Sequence, residues 1–579
     1  MADPDTAKAA TQTQSSQEPS IVETAQQRPP APAAALPQPA AKGWRFWAIF
    51  PPLSIATLLV GLDSTVGSSA LPKITAELDA GDNYVWILNG YLLTSTAFLP
   101  LYGQLAQVFG RRWPTIAAVA VFALGGGISG GASSAAMLIA GRLVQGMGGA
   151  GITAMTQLII SDLVSVRERG KYIGIVYAVF GAGTAIGPPV GGVIAQYTTW
   201  RWIFFLNLPI CGGTLLMQFL FLNIVFTKRL SVRAKLRQID RVGNLLLGAA
   251  VVAILIALSW SNTRYPWSSW RIILPLVLGV VGIALFHAFE AHVTKLVSRT
   301  TQPTIPPFMF NNRTSAAGLA LTFLQSMLTM WRVYFLPVYF QAVLLASPSR
   351  SGVLLLPTIL IGIPAAIVSG QVLARYGKYK PIHFAGFAVA TLATGLYIDL
   401  DAQSSLAKIV IYQILAGAGG GCLLTTMLPS VQASHPQTAV APATATWAFM
   451  RAFGNVWGIA IPAAIFNNQF GARAGAISSP DVRAFLGAGD AYSRVSAEYI
   501  AALPPQVQAE VQDAYLGSLR VVWIVCVAFS GLGLLLVFVE KEIKLRTTLQ
   551  SDYKLKEAKK AADAEKSGAG AGAREAVVE

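Results

Sequence analysis

Charge is what this sequence most lacks. Of its 579 residues only 12% are Asp, Glu, Lys or Arg, while 54% are hydrophobic, and the mean hydropathy is +0.54. A soluble domain carries roughly a quarter charged residues to keep its surface wet, so an ordinary globular protein is excluded. Cysteine is nearly absent as well. Cys211, Cys422 and Cys526 lie far apart within apolar segments, which excludes a disulfide framework and offers no thiolate metal spacing. The four histidines, His287, His292, His383 and His435, fall at the ends of apolar runs and propose no metal site. No G-x-x-x-x-G-K-[ST] phosphate loop, zincin helix or Ser/His/Asp arrangement occurs, so neither direct use of ATP nor an enzyme is expected, and no cofactor is.

What is present is a succession of apolar runs long enough to cross a bilayer, near 47–70, 84–106, 114–133, 137–161, 172–195, 202–226, 242–261, 271–293, 314–338, 351–373, 382–399, 407–430, 440–466 and 518–539. They predict an all-α polytopic membrane protein with fourteen transmembrane helices. An even number places both termini on one side. Arg111, Arg112, Arg167, Arg169, Lys228, Arg233, Arg237, Lys295, Arg375 and Lys378 crowd the connections on that side; the opposite short loops carry fewer, among them Lys73, Arg201, Arg264 and Lys408. By the positive-inside rule both termini are cytoplasmic. The same asymmetry accounts for the net charge of +16 without nucleic acid, because the basic residues are scattered between apolar runs instead of forming a stripe. The bilayer is the expected partner, and the protein is expected to be monomeric.

Residues 1–43, rich in Ala, Pro, Gln, Ser and Thr, read as a disordered cytoplasmic arm, and 542–579 as a low-complexity tail. Between them the chain repeats itself. Gly103–Arg112 is echoed by Gly370–Tyr379, and Gly146 and Gly187 are echoed by Gly417 and Gly458. These matches predict two six-helix halves, 44–227 and 312–541, with a two-helix insertion at 228–311. The connection 470–517, with Pro504 and Pro505, reads as a long outer loop holding short surface helices. The sequon at Asn312 falls in a cytoplasmic loop and is expected to be unglycosylated.

Gly183, Gly187 and Gly191 lie four residues apart, which on a helix makes a strip where a neighbour can approach backbone to backbone, and Pro188 and Gly192 sit among them. Gly183-x-x-x-Gly187-Pro188-x-x-Gly191-Gly192 resembles the antiporter signature on the fifth span of drug:proton exporters of the major facilitator superfamily. Leu62–Val66 with Ala70-Leu71-Pro72, Arg142–Ala150, Trp200–Pro209 and Tyr265–Ser269 also resemble that superfamily's fourteen-span branch, especially its fungal members. The resemblance covers about 500 residues and implies a major facilitator fold of 6 + 2 + 6 helices. It also implies proton-coupled efflux of small amphipathic organic compounds, a toxin, drug or secondary metabolite, by alternating access. Uptake of a compound such as a siderophore, and a non-transporting sensor or scaffold, stand as the alternatives. The plasma membrane is the expected location, with vacuolar or vesicle membranes as the others.

Individual residues follow. Gly103, Gln107, Gly110, Arg111 and Arg112 resemble the superfamily's cytoplasmic motif, with glutamine at 107 where the pattern has aspartate. The two arginines are placed to dock on helix ends or acidic partners. Asp63 and Arg142 are charges deep in spans one and four, about 13 Å and about 8 Å from the same outer face at 1.5 Å per residue, compatible depths for a proton-coupling pair. Gln145, Arg332, Gln341, Trp447 and Arg451 are read as lining a substrate cavity. Asp162 and Glu290, near predicted helix ends, read as solvated end charges.

Overall fold

Hydrocarbon offers the backbone no hydrogen-bond partner, so each apolar run closes its own bonds as a helix. The computed structural model describes residues 44–79, 84–222, 224–225, 231–261, 265–296, 302–487, 491–492, 496–547 and 554–555. The chain divides into two units, Met1–Trp44 and Arg45–Glu579. Of the first only Trp44 is described; the arm expected at 1–43, and 548–553 and 556–579 of the expected tail, lie outside the described residues.

The second unit is a helical bundle. Its long helices are α1 (Phe50–Glu77), α2 (Tyr84–Phe109), α3 (Arg112–Gly130), α4 (Ala135–Leu163), α5 (Arg169–Tyr197), α6 (Asn207–Phe221), α7 (Arg241–Trp260) and α8 (Trp270–Leu296). They continue as α9 (Arg313–Ala342), α10 (Pro348–Tyr376), α11 (Lys380–Leu396), α12 (Leu406–Leu424), α13 (Val440–Ala474) and α14 (Pro505–Leu536). Among the described residues, 13 spans are long and apolar enough to cross a membrane. The fourteenth helix, α2, has 26 residues but is diluted by Asn89, Thr94, Ser95, Thr96, Gln104 and Gln107. Apart from a two-residue pairing of Ile224–Val225 with Lys554–Leu555, no strand pairing of named strands occurs among the described residues.

Helices α1–α6 and α9–α14 form two groups that pack alike. Gly183 and Gly187 of α5 rest on the backbone of α1 at Leu58 and Leu62, and Gly454 and Gly458 of α13 rest in the same way on α9 at Phe323 and Met327. The groups meet along two seams, α5 against α10 and α2 against α13. The inserted α7 and α8 pair with each other, and α7 lies against both α2 and α13. The apolar side chains of Val277, Leu278, Val280 and Leu285 on α8 stay exposed, as a lipid-facing surface requires.

The basic connections touch one another, which gathers them on one face. Arg167 donates to the carbonyls of Ala374 and Arg375, Gln302 N–H to the carbonyl of Gln238 at 2.8 Å, and Arg313 to that of Val539 at 2.9 Å. Residues 541–547, all but the first of them expected to open a low-complexity tail, are docked on this basic face. Tyr379 donates its hydroxyl to Lys541 O and accepts from Ile543 N at 3.0 Å, while Leu545 is buried against Val166, Leu373 and Tyr379. Asn312 caps α9, its Oδ1 accepting from Thr314 N at 2.9 Å, which occupies the sequon's side chain.

At the opposite face the structure corrects the expected loop 470–517. Helix α13 continues to Ala474 and α14 starts at Pro505, leaving a shorter connection with two small helices, Pro480–Gly487 and Ala497–Ala501. The helices overrun the apolar runs because Phe466, Phe470 and Tyr515 bury one another there, and Tyr492 of the connection stacks on Phe335 with centroids 4.9 Å apart.

Candidate transport site

Asp63 is a carboxylate within a membrane-spanning helix with 1% of its surface exposed, a burial that costs several kcal/mol unless its charge is met. Its charge is met from three sides. Arg142 Nη1 of α4 lies 2.6 Å from Oδ2, Gln145 Nε2 donates to Oδ1 at 2.8 Å, and Asn207 Nδ2 of α6 donates to Oδ1 at 3.2 Å. Arg142 also donates to Gln145 Oε1 at 2.8 Å and, through Nε, to the carbonyl of Ile87 at 3.1 Å. The Tyr91 ring centre is 4.7 Å and that of Phe204 is 5.7 Å from the guanidinium. A buried ion pair is favourable only when its remaining lone pairs and protons are satisfied, and here α1, α2, α4 and α6 supply the partners. Asp63 and Arg142 are thus brought together. Gln145, expected to line a cavity, is instead fully buried with both ends of its amide engaged in this network. The sequence alone gives Asn207 no role; its only signal there is that it sits in the Trp200–Pro209 stretch.

At the basic end of α2 the chain reverses through Gly110, whose φ of 83° is the left-handed region glycine favours. The turn presents Arg111 to Asp162 of α4, Nε to Oδ2 at 2.5 Å, and to the carbonyl of Ala106. Arg112 reaches the carbonyl of Phe219 at the end of α6, 2.7 Å away. Both the acidic partner and the helix end expected for these arginines are found, whereas Asp162 is no solvated end charge: burial against Arg111 leaves it 3% exposed. Gln107 is half-buried, and Gly103 faces Ala445 across the α2–α13 seam.

Glu290 is buried too, contrary to expectation, because the chain after α8 folds back over it. Thr304 N donates to Glu290 Oε1 at 2.7 Å, and its hydroxyl donates to Asp240 Oδ2 at 3.1 Å. Gln104 of α2 joins by donating to Thr304 Oγ1 at 3.1 Å and accepting from Asn244 Nδ2 at 2.6 Å. This knot ties the motif-bearing end of α2 to the inserted helices.

Along α5, any side chain at Gly183, Gly187 or Gly191 would collide with α1 at Leu58, Thr65 and Val66 respectively, so the strip is in use. Thr65 seals it by donating to the carbonyl of Thr184 at 3.0 Å. A Cβ at Gly192 would meet nothing within 4 Å beyond its own helix, so it stands outside the strip, rotated one residue off that face. Pro188 lies within the helical backbone of α5, and its side chain is outside the described residues.

The five residues expected to line one cavity do not converge. Gln145 belongs to the Asp63 network. Arg451 of α13 reaches across between the two groups, 4.3 Å from the ring centre of Tyr177 on α5 and 5.7 Å from that of Trp447, which is itself buried. Tyr177 accepts from Gln157 Nε2 at 2.8 Å. Arg332 is enclosed in the second group at 4% exposure, and Gln341 lies near the outer end of α9 with Nε2 3.5 Å from Ser351 Oγ. Spacing along single helices cannot show which faces turn together, and that is why the set separates. Among the described residues no group of His, Cys, Asp or Glu could hold a metal ion.

Two groups of long apolar helices that pack alike and meet along two seams, the first enclosing a sealed acid–base network, are the architecture of a polytopic membrane transporter. The chain belongs to the Major Facilitator Superfamily, which it matches over residues 53–459. It is 46% identical over 525 residues to the MFS-type transporter gkaD of Penicillium citrinum, covering 90% of this chain and 89% of that one. It is 43% identical over 525 residues to the efflux pump FUS6 of Gibberella fujikuroi, with 90% and 94% covered, and 44% identical over 531 residues to the MFS efflux transporter aclA of Aspergillus oryzae, with 91% and 95% covered. Among solved structures the fold resembles that of the proton:xylose symporter XylE, with a TM-score of 0.50 at 14% identity over 83% of this chain and 94% of that one.

Proposed function

We propose that this protein exports small amphipathic organic compounds, of the toxin, drug or secondary-metabolite kind, in exchange for protons by alternating access. Efflux is supported by relatives named as efflux pumps over nine-tenths of the chain. Proton coupling rests on Asp63, an enclosed carboxylate held by Arg142, Gln145 and Asn207 from three directions. Moving Arg142 away would strand a buried negative charge, and the cheapest relief is to take up a proton. A rocking motion that makes and breaks this pair would therefore load a proton on one side and release it on the other.

In this reading the basic face is cytoplasmic, the membrane is the plasma membrane and the working unit is a monomer of two six-helix halves, 44–227 and 312–541, joined by the insertion. The seams are drawn together on the basic side, where Gly170 packs on Gly370, Gly103 on Ala445, and Arg169 Nη1 donates to Gln432 Oε1 at 2.5 Å. That supports a state closed to the cytoplasm. The test is intracellular retention of a panel of amphipathic toxins in cells with and without the protein. Lower retention with the protein is expected; higher accumulation would mean uptake, and no difference for any compound would favour a sensor or scaffold.

A further inference from the structure

The two helical groups treat charge differently at matched positions. Gly183 and Gly187 rest on Leu58 and Leu62 as Gly454 and Gly458 rest on Phe323 and Met327, so Asp63, next after Leu62, is matched by Leu328, next after Met327. Gly146 packs on the α2 carbonyl of Tyr91 as Gly417 packs on the α10 carbonyl of Thr358, so Arg142, four residues before the first, is matched by Gln413, four before the second. Where the first group holds an acid–base pair, the second holds a leucine and a glutamine. Gln413 is spent on neutral groups, accepting from Thr358 Oγ1 at 2.9 Å and donating to the carbonyl of Leu354 at 2.8 Å.

One turn along α9 from Leu328, on the same face, stands Arg332. It is 4% exposed and has no hydrogen bond or ion pair among the described residues, and its Nη1 is buried without a partner. Its surroundings are the backbone of α12 at Gly420, where a Cβ would lie 3.6 Å from Nη2, and the side chains of Tyr397 and Cys526, both within electrostatic reach. A phenol and a thiol can accept a hydrogen bond, but both are neutral and leave the charge of the cation uncompensated. An arginine keeps its charge at any physiological pH, so unlike a lysine it cannot escape the cost of burial by losing a proton.

We infer that Arg332 is a binding site for a compact monoanion, either the carboxylate of an organic acid or an inorganic anion such as chloride, which completes the charge balance of the second helical group. The guanidinium fork fits a planar carboxylate through two parallel N–H bonds, whereas a halide answers the charge alone. The inference deepens the substrate reading, but equilibrium binding needs no flux. A failed retention assay leaves it standing, and its own failure leaves export standing.

The experiment measures thermal unfolding of the purified full-length protein in detergent, in HEPES with sulfate as the only other anion. Sodium chloride, 1-naphthylacetate and the uncharged 1-naphthylacetamide are titrated separately. A saturable rise in midpoint is expected with at least one of the two monoanions and none with the amide. A rise with naphthylacetate alone assigns an organic acid, and one with chloride alone an inorganic ion. Arg332→Gln is expected to abolish the rise, and Arg332→Lys to keep it at weaker apparent affinity. No rise with either monoanion, equal rises with acid and amide, or a shift in Arg332→Lys as tight as in wild type would overturn the site, as would an undiminished rise in Arg332→Gln.

Discussion

The guanidinium of Arg451 stands 4.3 Å from the ring centre of Tyr177, so a cation of the second helical group rests on an aromatic face of the first. Gln157 fixes that ring by donating to its hydroxyl at 2.8 Å. Both residues are half-buried, where a cation–π contact contributes about 1 kcal/mol, enough to bias on which side the groups close. It must also part whenever the groups separate here.

Arg451→Ala is therefore expected to raise the apparent half-saturation for export of some compounds more than others, since the freed guanidinium is the charge a substrate meets at an open seam. Concentration-dependent export of an acidic and a neutral compound checks this. An equal loss for both, with poor membrane expression, would assign Arg451 to folding.

Gly187→Leu should abolish export while the protein still reaches the membrane, because α1 and α5 can no longer touch at Leu62 and Thr65. Gly192→Leu, at a position where a Cβ would meet nothing within 4 Å beyond its own helix, should export like wild type. Flux normalised to surface expression separates the two, and equal behaviour of both variants would contradict the packing role.

Leu545 joins Val166 of one group to Leu373 and Tyr379 of the other, so Leu545→Asp should loosen the basic face. The measurement is hydrogen exchange at 541–547 and 164–168, expected to quicken together. Faster exchange in the first segment alone would show that the docked segment does not hold the seam.

Acid should loosen the same place. Burial and the Arg546 cation hold His435 below the ordinary imidazole value of 6.5, and Arg546 donates to its carbonyl. A lowered folded value means that the stabilisation is present above the ordinary value and is lost as pH falls through the folded one. Exchange at 541–547, corrected for its intrinsic pH dependence, should quicken as pH falls below the ordinary value of 6.5, and His435→Gln should flatten that dependence. An unchanged profile in the variant would place the sensitivity elsewhere.

The helices and the α1–α5 contact were legible because burial in lipid forces a sequence signal: long apolar runs, arginines between them, and glycines every fourth residue where helices touch. The meeting of Asp63 and Arg142 was legible from depth alone, since two charges at one level of a bilayer interior have few other partners. The fates of Gln145, Asp162 and Glu290 were not. Each depends on which face of a helix turns inward and on a partner remote in sequence, Asp63, Arg111 and Thr304 respectively. The overrun of α13 and α14 was hidden for another reason: beyond the bilayer a helix needs only aromatic packing to continue, and that leaves no long apolar run.

The most direct test of the account is uphill export from proteoliposomes under an imposed pH gradient by the wild type and by Asp63→Asn. Asparagine keeps the shape and can still meet Gln145 and Asn207, but it carries no exchangeable charge to pair with Arg142. The account predicts that Asp63→Asn binds substrate and equilibrates it downhill yet loses pH-driven accumulation, with Arg142→Ala impaired in the same direction. Undiminished uphill export by Asp63→Asn would contradict it.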